Sequence, residues 1–207
     1  MSEGEERALL ERDLAGDWLA QFRAWRAELA AVDLAEPDAM VLATADAAGR
    51  PSARSVLLKG VDERGFEFFT NLDSRKGREL AENPRAALLF PWYELRRQVI
   101  VSGDVSPLSD RRADEYFASR AYRSRLGALA SRQSSVIPDR AVLESAMAEL
   151  ERRYPYDGPV PRPERWSGFR VEPHSVEFWQ GRRDRLHDRL RFRRGAAGEW
   201  LVERLSP

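Results

Sequence analysis

The stretch MVLATADAAGRPSARSVLLKGVDERGFEFFT, residues 40–70, decides the fold. Met40–Ala45, Ser52–Val61 and Phe66–Thr70 read as strands, rich in β-branched and aromatic residues and short enough to cross one sheet. The breaks between them, Ala48-Gly49-Arg50-Pro51 and Asp62–Gly65, are turn chemistry. After Asn83-Pro84 the same texture returns in Ala86–Trp92 and Gln98–Val105. Strands at such short spacing, joined by hairpin-length links, predict an antiparallel barrel or sandwich rather than a parallel doubly wound sheet.

Upstream, Trp18, Phe22, Trp25, Leu29 and Val32 recur at helical spacing behind Asp17, a good N-cap, so residues 17–32 are predicted to be a helix. Its two tryptophans read as core packing. Residues 1–16 are expected to be a flexible N-terminal arm. Downstream, Ser74–Glu82 reads as a short capped helix, and Ser109–Arg120, Tyr122–Arg132 and Asp139–Arg153 as three more. Residues 154–166 carry Pro155, Pro159, Pro161 and Pro163 and read as an extended linker. Three strands follow, Gly168–Val171, Ser175–Gln180 and Arg185–Arg193. Glu199–Leu205 pairs back on the last of them through a Gly195–Gly198 turn. The fold class is mainly β with inserted helices (α+β), a single domain over residues 1–207.

The 34 basic and 34 acidic side chains cancel, which argues against a general nucleic-acid or membrane-surface binder. No apolar run is long enough to cross a bilayer, and the charged start MSEGEERALLERD lacks the apolar core of a signal peptide. With no cysteine, disulfides, thiol chemistry and cysteine–metal sites are excluded, and a cytoplasmic setting is expected. Only two of the 34 basic residues are lysines, Lys59 and Lys76, a hint of positions that need a compact ammonium rather than a planar fork.

Four segments carry candidate chemistry. Thr70-Asn71-Leu72-Asp73-Ser74-Arg75-Lys76-Gly77 leaves a strand and opens a helix, so free N–H groups and two cations could cradle a phosphate; an exposed, capped surface helix would show the same pattern. In Arg54–Lys59, strand alternation puts Arg54 and Lys59 on opposite faces unless a bulge intervenes. Tyr116 and Arg120 share a helix face, with Ser124 beyond, and would suit a second phosphate or simply be solvated. In Trp179–Arg189, a strand from Arg185 onward would gather Arg185, His187 and Arg189 on one face, either as a site or as a solvated edge. Between two arginines His187 should favour its neutral form, while His174, beside Pro173, reads as structural. Nothing indicates a metal site, a Ser-His-Asp triad or a Rossmann nucleotide fingerprint.

Read together, RSVLLK (54–59), FFTN (68–71), SRKG (74–77), LLFPW (88–92), RQVIVSG (97–103), EYFASR (115–120), SRQSS (131–135) and EFWQGRRDRLHDR (177–189) resemble the pyridoxine (pyridoxamine) 5′-phosphate oxidase family. The likeness runs from about Leu34 to Pro207, in order and with compatible spacing. It implies an FMN-binding split β-barrel working as a homodimer, with FMN at the subunit interface. It also implies oxidation of pyridoxamine or pyridoxine 5′-phosphate to pyridoxal 5′-phosphate by O2, with H2O2 as product. By resemblance, Arg54, Lys59, Phe69, Thr70, Arg75, Lys76, Gln98, Gln133, Ser134, Trp179 and Arg189 contact FMN. Lys59, Tyr116, Arg120, Ser124, Arg185 and His187 contact substrate; Arg185 and His187 orient its reacting end and stand as the catalytic pair. Two departures stand out. The N-terminal arm shows no match to the Arg and Tyr that close over substrate in family members, and Arg125 and Leu129 replace a common Gln and Trp. The competing readings are a related FMN oxidase of phenazine biosynthesis and a non-catalytic flavin- or B6-binding protein. The phosphate set speaks against the first, and RLHDR against the second.

Overall fold

A computed structural model describes residues 8–156 and 158–207. Its helices are α1 (Trp18–Glu28), α2 (Arg75–Glu82), α3 (Asp110–Ser119), α4 (Tyr122–Ala130) and α5 (Ala141–Arg153). Its strands are β1 (Ala39–Ala45), β2 (Pro51–Leu57), β3 (Gly60–Asp62), β4 (Gly65–Asn71), β5 (Arg85–Trp92), β6 (Arg97–Pro107), β7 (Trp166–Gln180), β8 (Asp188–Arg194) and β9 (Trp200–Arg204). They form one antiparallel sheet in the order β2-β1-β5-β6-β7-β4-β3, with β8 on β7 and β9 on β8. Among the described residues no ladder joins β2 to β3, so the sheet curls without closing.

Alternation explains the core. Leu88, Phe90 and Trp92 of β5 and Val99 and Val101 of β6 point inward, with polar or half-buried neighbours between them. Asp17 caps α1 by accepting from the Ala20 N–H at 2.7 Å. The helix then lays Trp18, Phe22 and Trp25 on the sheet, and the Phe22 ring lies within 5.7 Å of Phe66, Phe90 and Trp92. Full burial of such a ring contributes about 1.5–3 kcal/mol. A smaller cluster of Phe117, Leu126, Val160 and Trp166, with Phe69 and Tyr116 against it, ties α3 and α4 to the start of β7.

Four expectations need correction. The run Ser52–Val61 is not one strand: β2 ends at Leu57, where Leu58 N–H turns to Asp38 O (2.9 Å) and Lys59 N–H to Glu67 O (2.8 Å). Gly168–Val171 and Ser175–Gln180 are one strand, because a bulge absorbs His174 while Gly103 and Ser102 pair with Pro173 and Ser175. The last long strand begins at Asp188, not Arg185; a 3₁₀ turn over Arg183–Arg185 holds Asp184 and Arg185 at φ of 56° and 61°. Finally, of the arm expected to be flexible, residues 1–7 lie outside the described residues, whereas Ala15 N–H bonds Gln21 of α1 and Leu9 and Glu11 are anchored on the β8–β9 hairpin. Leu9 is buried there, its N–H bonds Asp188 Oδ2 (3.1 Å) and its carbonyl accepts from Arg204 Nη2 (2.9 Å). Residues 154–156 and 158–165 form no helix or strand, though Val160 is buried and Arg162 pairs with Asp110 and Asp114.

Candidate functional site

Where the sheet stays open, between β2 and β4, the helices α3 and α4 roof a cavity of about 480 Å³. Its lining includes Lys59, Phe69, Thr70, Lys76, Tyr116, Arg120, Ser124 and Gln133, eight of the residues singled out from sequence, together with Trp166. Three cations face it, and no carboxylate appears in its lining.

Two groups of side chains build the walls. On the β4–α2 side, Ser74 caps α2 by accepting from Gly77 N–H. Gly77 is required because a Cβ there would lie 2.2 Å from the Leu72 carbonyl oxygen. This close approach aims Lys76 back along β4, so its Nζ donates to Thr70 Oγ1 and to Gln133 Oε1, both at 3.1 Å. Burial pushes the Lys76 ammonium down to about 8, the nearby Arg54 charge pushes the same way, and Glu79 opposes them. On the α3–α4 side, Phe69, Tyr116 and Trp166 stack, with Phe69 and Tyr116 centroids 4.2 Å apart. Lys59 Nζ stands 5.9 Å over the Tyr116 ring and the Arg120 guanidinium 5.0 Å over Trp166. Arg120 Nη1 is buried and has no hydrogen-bond partner. Burial also lowers the guanidinium's pKa, against a weaker opposite pull from Tyr116. A desolvated donor with nothing to bond is poised for an anion.

The other predicted residues do not line the cavity. Arg54 is absent from the lining: Nη1 donates to Thr44 Oγ1 (2.5 Å) and Nη2 to Ser52 Oγ and Glu79 Oε2. Arg75 is exposed at the helix start, with Nε on Glu79 Oε1 (2.8 Å) and its N–H on Ser134 Oγ (3.1 Å). Gln98, Trp179 and Arg189 sit side by side across β6, β7 and β8. Arg189 is held by Glu177 (2.7 and 3.1 Å), and the His187 ring packs 4.6 Å from Trp179. The expected single face of Arg185, His187 and Arg189 is not formed, because Arg185 is exposed in the turn and His187 precedes the strand.

Sequence reasoning missed Glu79, although its spacing four residues after Arg75 was a usable signal. This buried carboxylate accepts from Thr44 (2.5 Å), Ser52 (2.6 Å), Arg54 and Arg75. Burial alone would raise its pKa; those donors outweigh burial and bring it down to about 2. Trp166 was also missed, since only the tertiary fold brings it to Phe69.

An open antiparallel barrel with a cation-lined cavity at its split defines the class as a split-barrel fold. Residues 26–154 match the family model described as pyridoxamine 5′-phosphate oxidase, and residues 166–207 that of the pyridoxine 5′-phosphate oxidase C-terminal dimerisation region. The chain belongs to the pyridoxamine 5′-phosphate oxidase family. It is 56% identical over 199 residues to a pyridoxine/pyridoxamine 5′-phosphate oxidase of Salinispora arenicola, covering 96% of this chain and 90% of the relative. It is 54% identical over 200 residues to the protein of that name in Cupriavidus necator, covering 97% and 93%. Among solved structures, it is similar to PhzG from Burkholderia lata 383 in complex with tetrahydrophenazine-1-carboxylic acid. That match has TM-score 0.91 and 35% identity, over 99% of this chain and 100% of that one. An FMN-binding, pyridoxamine 5′-phosphate oxidase-related protein of Nostoc punctiforme shares the fold, with TM-score 0.66, 19% identity, and 82% and 88% coverage. No described helix is long and apolar enough to cross a membrane.

Proposed function

We propose that this chain is a cytoplasmic, FMN-dependent oxidase acting as a homodimer in vitamin B6 synthesis and salvage. It converts pyridoxamine 5′-phosphate and pyridoxine 5′-phosphate to pyridoxal 5′-phosphate, with O2 as electron acceptor and H2O2 as product. The observation that carries this reading is the unpartnered Nη1 of Arg120 in a cavity faced by three cations and no carboxylate. Such a donor set matches the multiple charge-assisted bonds that a buried phosphate dianion requires.

The residues present fit both phosphorylated molecules. Lys76, Thr70, Gln133, Ser134 and the start of α2 would hold the FMN phosphate, with Arg75 beside it and Arg54 backing Lys76. Lys59, Tyr116, Arg120 and Ser124 would hold the substrate phosphate. FMN, when bound, supplies the hydride acceptor for substrate C4′ and the route of those electrons to O2. The chain's task is to bind, orient and keep water out, and the Phe69–Tyr116–Trp166 stack gives the cavity a rigid apolar wall. Gln98, Trp179, His187 and Arg189 line no part of this cavity. The matched dimerisation region supports a site completed when a second copy brings that group, with Arg185, against it.

The test is an aerobic assay of FMN-loaded protein with pyridoxamine 5′-phosphate, following aldehyde and peroxide together. Equal amounts of both are expected. FMN binding without either product, from the amine or the alcohol, would overturn the reading. It would favour the alternative that the PhzG likeness supports, an FMN oxidase acting on a larger tricyclic substrate. Lys59, Tyr116, Arg120 and Ser124 weigh against that alternative, since so many converging donors suit a phosphate dianion better than the single carboxylate of a tetrahydrophenazine-1-carboxylic acid.

A further inference from the structure

Lys59 stands in the gap between β2 and β3, where no ladder fixes it on both sides. Its N–H is held by the Glu67 carbonyl at 2.8 Å, and its own carbonyl accepts from Arg112 Nη2 at 3.4 Å. Arg112 in turn is fixed by the buried Glu67 carboxylate, which takes its Nε at 3.0 Å and also pairs with Arg170. The same guanidinium lies 5.5 Å over the Phe69 ring, on which Tyr116 stacks. Gly60 permits the arrangement, because a Cβ there would lie 2.7 Å from Glu67 Oε2. A second cavity of about 470 Å³ opens behind, lined by Gly60, Glu67, Arg112 and Arg170. Arg112 lines this second cavity and backs two residues of the front one, Phe69 through its ring and Lys59 through its carbonyl; among the described residues its carboxylate partner is Glu67.

From this geometry we infer that Arg112, held by Glu67, is a positioning residue for the phosphate end of the substrate site. It touches no substrate. It fixes the Lys59 main chain through the carbonyl and the Phe69–Tyr116 stack through the ring, so the Lys59 ammonium and the Tyr116 hydroxyl are presented together. A lysine has ample rotamer freedom, and its reach is only as well defined as the backbone that carries it. The inference rests on the phosphate reading of the front cavity.

The test is equilibrium binding of pyridoxal 5′-phosphate and of unphosphorylated pyridoxal to the FMN-loaded protein, in wild type, R112M, R112K and E67Q, with melting temperatures alongside. R112M is expected to weaken the phosphorylated ligand about tenfold, the scale of one charge-assisted hydrogen bond, and to leave pyridoxal unchanged. R112K keeps the charge but has no fork to reach both Glu67 and the Lys59 carbonyl, so about a threefold loss is expected. E67Q should follow R112K. A wild-type ratio of the two affinities in R112K and R112M, whatever happens to melting, would make the pair merely structural and overturn the inference. If R112M does not fold, R112K decides in the same way. A wild-type protein with no preference for the phosphorylated ligand would instead remove the phosphate reading itself.

Discussion

His187 Nδ1 accepts a hydrogen bond from the main-chain N–H of Arg182 at 3.0 Å. An imidazole nitrogen that accepts carries no proton, so the neutral ring is protonated on Nε2 and offers its partner a donor. The Asp184–Arg185 turn, with two consecutive left-handed residues, folds the chain back so that the contact forms. Left-handed backbone at arginine is costly, and such outliers concentrate where function requires them. H187A is expected to lower kcat/KM by about 10²-fold while leaving FMN content unchanged. H187Q, whose amide can still donate near the Nε2 position, should recover part of the loss. Steady-state kinetics with flavin quantitation of each variant decide it; loss of FMN with normal activity after reconstitution would contradict this role.

Arg120 makes a sharper trade. Its buried Nη1 has no partner and its charge is desolvated, so the ligand-free protein gains little from it. R120M keeps the length over Trp166 and removes the uncompensated donor. The ligand-free melting temperature is expected to hold or rise, while KM for pyridoxamine 5′-phosphate rises by about 10²-fold, the cost of one buried charge-assisted contact. Calorimetry beside initial rates checks both halves. A fall in melting temperature with unchanged KM would make Arg120 a packing residue.

The strands, the helices and the order of the site segments were legible because period and turn chemistry are local. What was not legible was set by contacts between distant segments. Alternation predicts Arg54 and Lys59 on opposite faces, but the strand ends at Leu57, where Asp38 and Glu67 capture the main chain of Leu58 and Lys59, so alternation does not reach Lys59; Arg54 bonds Glu79 while Lys59 lines the cavity. The face expected of Arg185, His187 and Arg189 failed because two left-handed residues interrupt it, and nothing in RRDRLHDR announces them. Eight of the site residues converge in one chain, whereas the Gln98–Trp179–Arg189 group stays apart. One copy's sequence pattern carries no information about which surface a second copy meets.

Lys76 gives a pH signature. Its pKa falls from 10.5 in the unfolded chain to about 8 in the fold, because of burial and then Arg54. Between those values the unfolded chain holds the proton and the folded one has lost it, so Lys76 makes the ligand-free protein more stable as pH rises from about 8 towards 10.5. Phosphate binding needs the charged form, so FMN affinity should fall over the same rise. Riboflavin, which lacks the phosphate, should show no such fall, and K76M should flatten both curves. Denaturant titrations and flavin-fluorescence titrations across the range measure the two effects. Parallel FMN and riboflavin curves in wild type would dissociate Lys76 from the phosphate.

Glu79 gives the opposite signature at low pH. Its carboxyl is buried yet brought down to about 2 by Ser52, Thr44, Arg75 and Arg54, so it stays ionised while its unfolded counterpart, at 4.5, takes up a proton. Its contribution is complete above pH 4.5 and is lost as pH falls from there towards about 2. E79L removes the acceptor of four donors, of which Thr44 is buried and Ser52 and Arg54 half-buried, and is expected to cost about 3 kcal/mol, the lower end of the penalty for breaking a buried ion pair from one side. E79Q keeps one acceptor and the shape, so it should cost less and remove the Glu79 share of the acid slope. Because Glu79 holds both Arg54 and Arg75, FMN affinity should fall in E79L more than in E79Q. Urea unfolding of the three proteins at several pH values between 3 and 6, a range chosen to bracket about 4.5, gives the slopes directly. An unchanged acid slope in E79Q would show that this carboxyl titrates alike in the folded and unfolded chain, against the lowering assigned to its donors.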